Sequence, residues 1–231
     1  MHELKRSARF AGIAYLALGI TGMIGFLALR PQLYVAGDAV ATLDNLVERP
    51  TLAHLSVTLE LLIVMAQALA AVYFYKLFAS INRGAAVSVM AFGLMNSAAI
   101  MASAGFMATA VAVAGDQTLA PGGDAAATVG LLALLSTNAW AVGNVFFGLW
   151  LIPMGWAVLT SGRMPKPLGW ILVVGGVGYV LSALVVHVWV DAPAALIESL
   201  PVPATVGEFW MIGYLLVKGI RPVQVDQAVT R

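Results

Sequence analysis

Six apolar stretches dominate this sequence: Phe10–Leu29, Leu52–Tyr75, Ala85–Ala114, Val129–Leu159, Gly169–Val190 and Ala204–Ile220. Crossing the hydrocarbon of a bilayer as an α-helix takes about 20 apolar residues, and each stretch is near or above that length. The runs are continuous, whereas the strands of a membrane barrel alternate apolar and polar residues. Backbone groups in hydrocarbon must also be hydrogen-bonded within their own segment, which a helix achieves. The expected fold is therefore all-α: a polytopic membrane helix bundle of six transmembrane helices, forming a single domain over residues 1–231. The third and fourth stretches are long enough to tilt or to extend past the hydrocarbon, and the sixth is short.

Composition leaves little room for another reading. Of the 231 residues, 61% are hydrophobic and only 10% charged, with a mean hydropathy of +0.93. Soluble domains run near 45–50% apolar and about 25% charged, and a soluble chain this short could not hide so much apolar surface in one core. There is no cysteine, which excludes disulfides, thiolate nucleophiles and cysteine-ligated metal centres. The basic start (Lys5, Arg6, Arg9) is reminiscent of a signal peptide, but the apolar run is longer than a signal core and no small-residue cleavage site follows. The segment reads as a retained helix.

The connections set the orientation. Ile81-Asn82-Arg83-Gly84 reads as a tight turn and Ser161 to Pro167 as a short basic loop. With the N-terminus inside, ten of the 12 Lys and Arg residues fall on the cytoplasmic side: Lys5, Arg6, Arg9, Lys76, Arg83, Arg163, Lys166, Lys218, Arg221 and Arg231. Arg30 and Arg49, in the first connection, are the two outside. This split predicts both termini on the cytoplasmic side of the membrane. After Asp38, the stretch from Ala39 to Arg49 carries Val40, Leu43 and Val47 at helical spacing, predicting an extracytoplasmic surface helix on the membrane. Asp124 suits the cap of the fourth long helix, and Pro193 and Pro203 suit first-turn positions.

Two carboxylates fall inside the expected spans, Glu60 in the second and Glu208 in the sixth. Both helices run inward, so at 1.5 Å per residue Glu60 lies roughly 12 Å and Glu208 roughly 6 Å below their outer ends. His54 opens the second helix and His187 closes the fifth, on the same side. Ionisable residues within a membrane generally face the protein interior and mark functional sites. Ser56, Glu60 and Gln67 share one helical face; Asn96 and Ser103, seven apart, share another, and Thr137, Asn144 and Gly148 a third. These groups define an expected outer-side polar cavity with Glu60 and Glu208 as anionic anchors, and Ser56, Gln67, Asn96, Asn144, His54 and His187 as further ligand-binding residues. Interhelical hydrogen bonding is the plainer role for the amides and hydroxyls. Two histidines without further ligand spacing give no metal site, and no cofactor is expected. Gly175-Gly176-Val177-Gly178 lacks the context of a phosphate loop. No Ser-His-Asp order, HExxH or nucleic-acid motif is present, and Trp150, Trp156, Trp170 and Trp189 sit where interfacial aromatic belts belong.

The run from Asn144 to Trp170 (NVFFGLWLIPMGWAVLTSGRMPKPLGW), then GYVLSA (Gly178 to Ala183) and PVPATVGEFWMIGYLLVKG (Pro201 to Gly219), resembles the bacterial domain of unknown function 4386 (DUF4386). Arg9 to Gly22, Gly37-Asp38 and Asn82-Arg83-Gly84 fit as well, so the resemblance covers nearly the whole chain. It implies a six-helix integral membrane protein and supplies no activity, substrate or catalytic residue. Members often carry further polar residues around Leu134–Ser136 and an acid near Ser182, where this chain is apolar or hydroxylic. Glu208 stands within the family-like Gly-Glu motif.

Three functions compete. The first is binding, extending to transport, of a small amphipathic, lipid-like or cationic ligand in the outer cavity. The second is a structural or regulatory role beside another membrane protein. The third is an intramembrane hydrolase with a Glu as general base and a His assisting. No internal repeat with paired helix breaks is present, which weighs against active transport. The pattern weighs against an enzyme too, and binding ranks first.

Overall fold

The computed structural model describes residues 2–221; Arg231, counted above among the basic residues, lies outside them. Among the described residues the regular elements are helical, and six segments are long and apolar enough to cross a membrane. In chain order the helices are α1 (His2–Met23), α2 (Arg30–Leu33), α3 (Ala39–Glu48), α4 (Pro50–Phe78), α5 (Arg83–Gly115), α6 (Ala125–Ser161), α7 (Lys166–Val188), α8 (Ala194–Ser199) and α9 (Val202–Val217). The two stretches that read as over-long are so: 33 and 37 residues in α5 and α6 span about 50 and 55 Å, against roughly 30 Å of hydrocarbon. The short sixth stretch gains length from α8, giving a segment over Ala194–Val217.

The first helix departs most from the sequence reading. A π-helical segment, Ile24–Leu29, joins α1 to α2, so the helical path runs Glu3–Leu33 and carries Arg30 within it rather than in a loop. The Arg30 N–H bonds back to the Gly25 carbonyl, five residues away. Pro31 supplies the reason. Proline lacks an N–H and crowds the carbonyl four residues back, and a widened turn just before it takes up that crowding.

Side-chain oxygens start the helices that follow. Asp38 accepts from the Ala41 N–H at 2.9 Å, Asn82 from Ala85 N–H at 3.0 Å, and Asp124 from Ala127 N–H at 2.9 Å, each satisfying a donor that the first helical turn leaves orphaned. In α3 the buried stripe is Thr42, Leu43 and Leu46, while Val40 and Val47 are exposed. Of the three apolar residues read from spacing, Leu43 packs inward while Val40 and Val47 stay on the outer face of the helix.

The chain folds into two compact units. One holds Ala14–Ala68 and Leu94–Val145, the other the remaining described residues. In the first unit Leu43 and Leu46 of α3 join a core with Leu33, Ala53, Val111 and Val129. Along α4, Ser56, Glu60, Ile63 and Gln67 are buried, while Leu61, Leu62 and Met65 are exposed. Apolar side chains out and polar ones in inverts the pattern of a water-soluble helix, and such a surface suits hydrocarbon.

In the second unit Phe74 stacks on Phe78 and meets Trp150 edge-on, with centroids 5.8 Å apart in both pairs. Here α6 and α7 approach backbone to backbone. A Cβ built on Gly148 would lie 2.7 Å from the Gly176 carbonyl oxygen, and one on Gly176 equally close to the Gly148 oxygen. Dispersion, which falls off steeply with separation, holds such a contact, so only small residues permit it.

Candidate functional site: a buried arginine–glutamate pair beside an apolar cavity

The site is assembled by α2, α4, α5 and α6, entirely within the unit of Ala14–Ala68 and Leu94–Val145. Arg30 Nη1 donates to Glu60 Oε1 at 3.2 Å, with 12% of the arginine side chain and 4% of the glutamate side chain exposed. Arg30 Nη2 donates to Ser136 Oγ at 2.7 Å and, at the limit of bonding, to Thr137 Oγ1 at 3.5 Å. Trp140 Nε1 donates to the same Glu60 oxygen at 3.1 Å. Ser136 and Ser103 share a hydroxyl–hydroxyl bond of 2.7 Å, and Ser103 lies beside the carboxylate. The other carboxylate oxygen, Oε2, is buried without a well-formed hydrogen bond.

Aromatic rings complete the surroundings of the guanidinium. Its carbon lies 5.1 Å from the Phe26 ring centre and 5.7 Å from that of Tyr34, and Phe26 meets Trp140 edge-on at 4.5 Å. A planar, weakly hydrated guanidinium suits this setting better than an ammonium would. Taking two charges out of water is costly unless they are paired and hydrogen-bonded. Arg30 and Glu60 are both, so the pair is electrically neutral.

Beside the pair is a cavity of about 590 Å³, lined by Phe26, Arg30, Pro31, Tyr34–Ala39, Thr42, Gly130, Ala133, Leu134 and Thr137. That volume falls in the range of small-molecule sites, which are mainly apolar with a few placed polar groups. Glu60 is not in the lining. Of the pair, the cavity meets the cation, and the carboxylate stands behind it. The Tyr34 hydroxyl is buried without a hydrogen-bond partner. Burial holds this phenol well above its ordinary titration range, so it remains a neutral donor.

The residues selected from sequence distribute as follows. Ser56, Glu60, Gln67 and Asn96 are buried in this unit, Asn144 is half-buried there, and His54 is exposed in the first turns of α4. Both amide atoms of Gln67 and the Asn96 nitrogen lack hydrogen-bond partners. Glu208, half-buried on α9, and His187, exposed near the end of α7, belong to the other unit. Glu208 acts electrostatically on Tyr179 of α7. None of these eight residues lines the cavity. Sequence reasoning missed Arg30, Tyr34, Ser136 and Trp140. Ser136 stands in the Leu134–Ser136 segment where the resemblance implies further polar groups, and here it holds Arg30.

Among the described residues six helices are long and apolar enough to cross a membrane, and one of the two units buries an arginine–glutamate pair, which defines an all-helical, membrane-type protein with an internal polar site. The sequence profile described as domain of unknown function (DUF4386) matches residues 10–219, and the chain belongs to that family. No curated protein and no solved structure matches it.

Proposed function

We propose that this chain is a multi-pass integral membrane protein of the bacterial inner membrane, one six-helix domain with both termini cytoplasmic, which binds a small amphipathic molecule in the cavity at Arg30 on the outer side. The orientation rests on the 10-to-2 division of Lys and Arg, and Arg30, one of the two outer cations, is neutralised by Glu60. The binding role is carried by one observation: a buried ion pair that presents its cation to a mainly apolar cavity. A purely structural pair needs no such opening. The Glu–His hydrolase considered from sequence would need an imidazole within reach of the glutamate, and the polar partners of Glu60 are Arg30, Ser103 and Trp140.

Orientation is tested by labelling, since the chain has no native thiol. Cysteine at Val40 or Gln117 is expected to react with an impermeant maleimide from the periplasmic side, and cysteine at Lys166 only after permeabilisation. The reverse pattern would move the site to the cytoplasmic face. Binding is tested with three amphiphiles of equal chain length, octyl sulfate, octyltrimethylammonium and octanol, in nanodiscs of zwitterionic lipid. At least one is expected to raise the melting temperature of the full-length protein. Ala36→Trp, which fills the exposed side of the cavity without touching the pair, is expected to abolish that rise. If no probe shifts the transition, or Ala36→Trp leaves the shift intact, the cavity is not a binding site.

A further inference from the structure

Resting on that reading, we propose that the amphiphile's head group is an anion, such as a carboxylate or phosphate, and that its binding to Arg30 is coupled to the uptake of one proton by Glu60.

The chemistry of the lining selects the sign. A guanidinium carries five N–H donors, and the bonds to Glu60, Ser136 and Thr137 engage three of them. Tyr34 contributes a neutral, unpartnered hydroxyl, while the Thr137 hydroxyl is already spent on the Ala133 carbonyl. The one carboxylate in the lining, Asp38, is engaged as the cap of α3. The polar side of this cavity beside the pair therefore presents N–H and O–H donors from Arg30 and Tyr34, which suit a head group made of acceptors. Phe26, Pro31, Ala133 and Leu134 offer the remainder of the wall to an alkyl chain.

Charge balance supplies the coupling. Arg30 and Glu60 sum to zero in a buried setting. An anionic head group at Arg30 would leave a net charge of −1 there, and an uncompensated charge in a low-dielectric interior costs several kcal/mol. One proton on Glu60 restores neutrality: a carboxylate lone pair takes a proton from water, an O–H bond forms, and bulk buffer neutralises the hydroxide. No bond in the ligand changes. The groups around Glu60 accommodate this. Trp140 still donates to Oε1, and Ser103 of α5, beside the carboxylate, offers an oxygen to the new O–H. The charged or titratable groups acting on Glu60 are Arg30 and the neutral Tyr34; α5 and α6 bring Ser103, Ser136 and Trp140, none of which titrates.

Octyl sulfate is the decisive probe, because its own head group does not titrate near neutral pH. Calorimetry of the full-length protein in zwitterionic nanodiscs, in two buffers of different protonation enthalpy, counts protons directly. Binding with uptake of about one proton per octyl sulfate is expected, with affinity falling about tenfold per unit rise in pH. Octyltrimethylammonium is expected not to bind, and inorganic sulfate, which lacks the chain, not to compete. Glu60→Gln keeps shape and hydrogen bonding, so it is expected to bind octyl sulfate with no proton uptake and no pH dependence. Should that variant fail to fold, infrared difference spectra of the native chain decide: octyl sulfate should produce a protonated-carboxyl C=O band. Binding without proton uptake, uptake that persists in Glu60→Gln, or a preference for the cation would overturn this inference while leaving the cavity a binding site. Competition by inorganic sulfate would overturn its amphipathic part. Binding of none of the octyl probes overturns the underlying reading instead.

Discussion

Replacing Glu60 with methionine is expected to destabilise the protein by about 3–5 kcal/mol, and replacing Arg30 alone by a similar amount, whereas the Arg30→Met/Glu60→Met pair is expected to lie near the native stability or above it. Either single change strands a charge that the fold has taken out of water, while the double change removes both and leaves apolar side chains of similar size. The two singles differ with pH. A lone guanidinium cannot shed its proton, so the Glu60→Met loss should persist across the accessible range. A lone carboxylate can take one up, so the Arg30→Met loss should shrink as pH falls. A double-mutant cycle by detergent-induced unfolding measures the coupling. Additive losses in the double variant would mean that the two side chains do not act as a pair.

The second large effect is expected where α6 meets α7. Gly148→Ala would set a Cβ 2.7 Å from the Gly176 carbonyl oxygen and 2.8 Å from the Tyr179 Cβ. Neither neighbour is the free end of a flexible side chain, so the helices must separate. Overpacking of this kind costs about 1–3 kcal/mol, and Gly148→Leu should exceed that and prevent folding. Gly105→Ala in α5 is the control. Nothing lies within 4 Å of its Cβ position, and alanine is the better helix former by roughly 0.5–1 kcal/mol. It should be neutral or stabilising in the same unfolding measurement. Equal losses at the two glycines would show that backbone proximity is not what Gly148 provides.

The buried face of α4 was legible in the sequence because periodicity and scarcity coincide there. Ser56, Glu60 and Gln67 are polar interruptions of an apolar run on a single helical side, and that side is buried. Asn96 and Ser103 read the same way. The partner of Glu60 was not legible. Arg30 stands where an apolar run ends in front of a proline, a pattern that marks a helix end, and a π-helical segment leaves no signature in composition. One signal was available: a carboxylate deep in a span requires a compensating charge, and Arg30 and Arg49 are the two cations of the connection that precedes its helix. The choice between Thr137 and Ser136 on α6 depends on what packs against the helix, and the neighbouring positions offered the same chemistry. Sequence spacing records which residues share a face, not which face finds a partner.

The π-helical segment before Arg30 has a meaning beyond the site it serves. A widened turn holds one residue more than an α-helical turn, and each residue advances a helix by about 100°. Ile24–Leu29 therefore works as a phase shifter. It lets the upstream part of α1 keep its own register while the last turn is rotated to bring Arg30 against Glu60. A one-residue insertion or deletion in this stretch would re-aim the guanidinium as a single step, with every side chain in the pair unchanged. The site can thus be lost or regained through helix length alone.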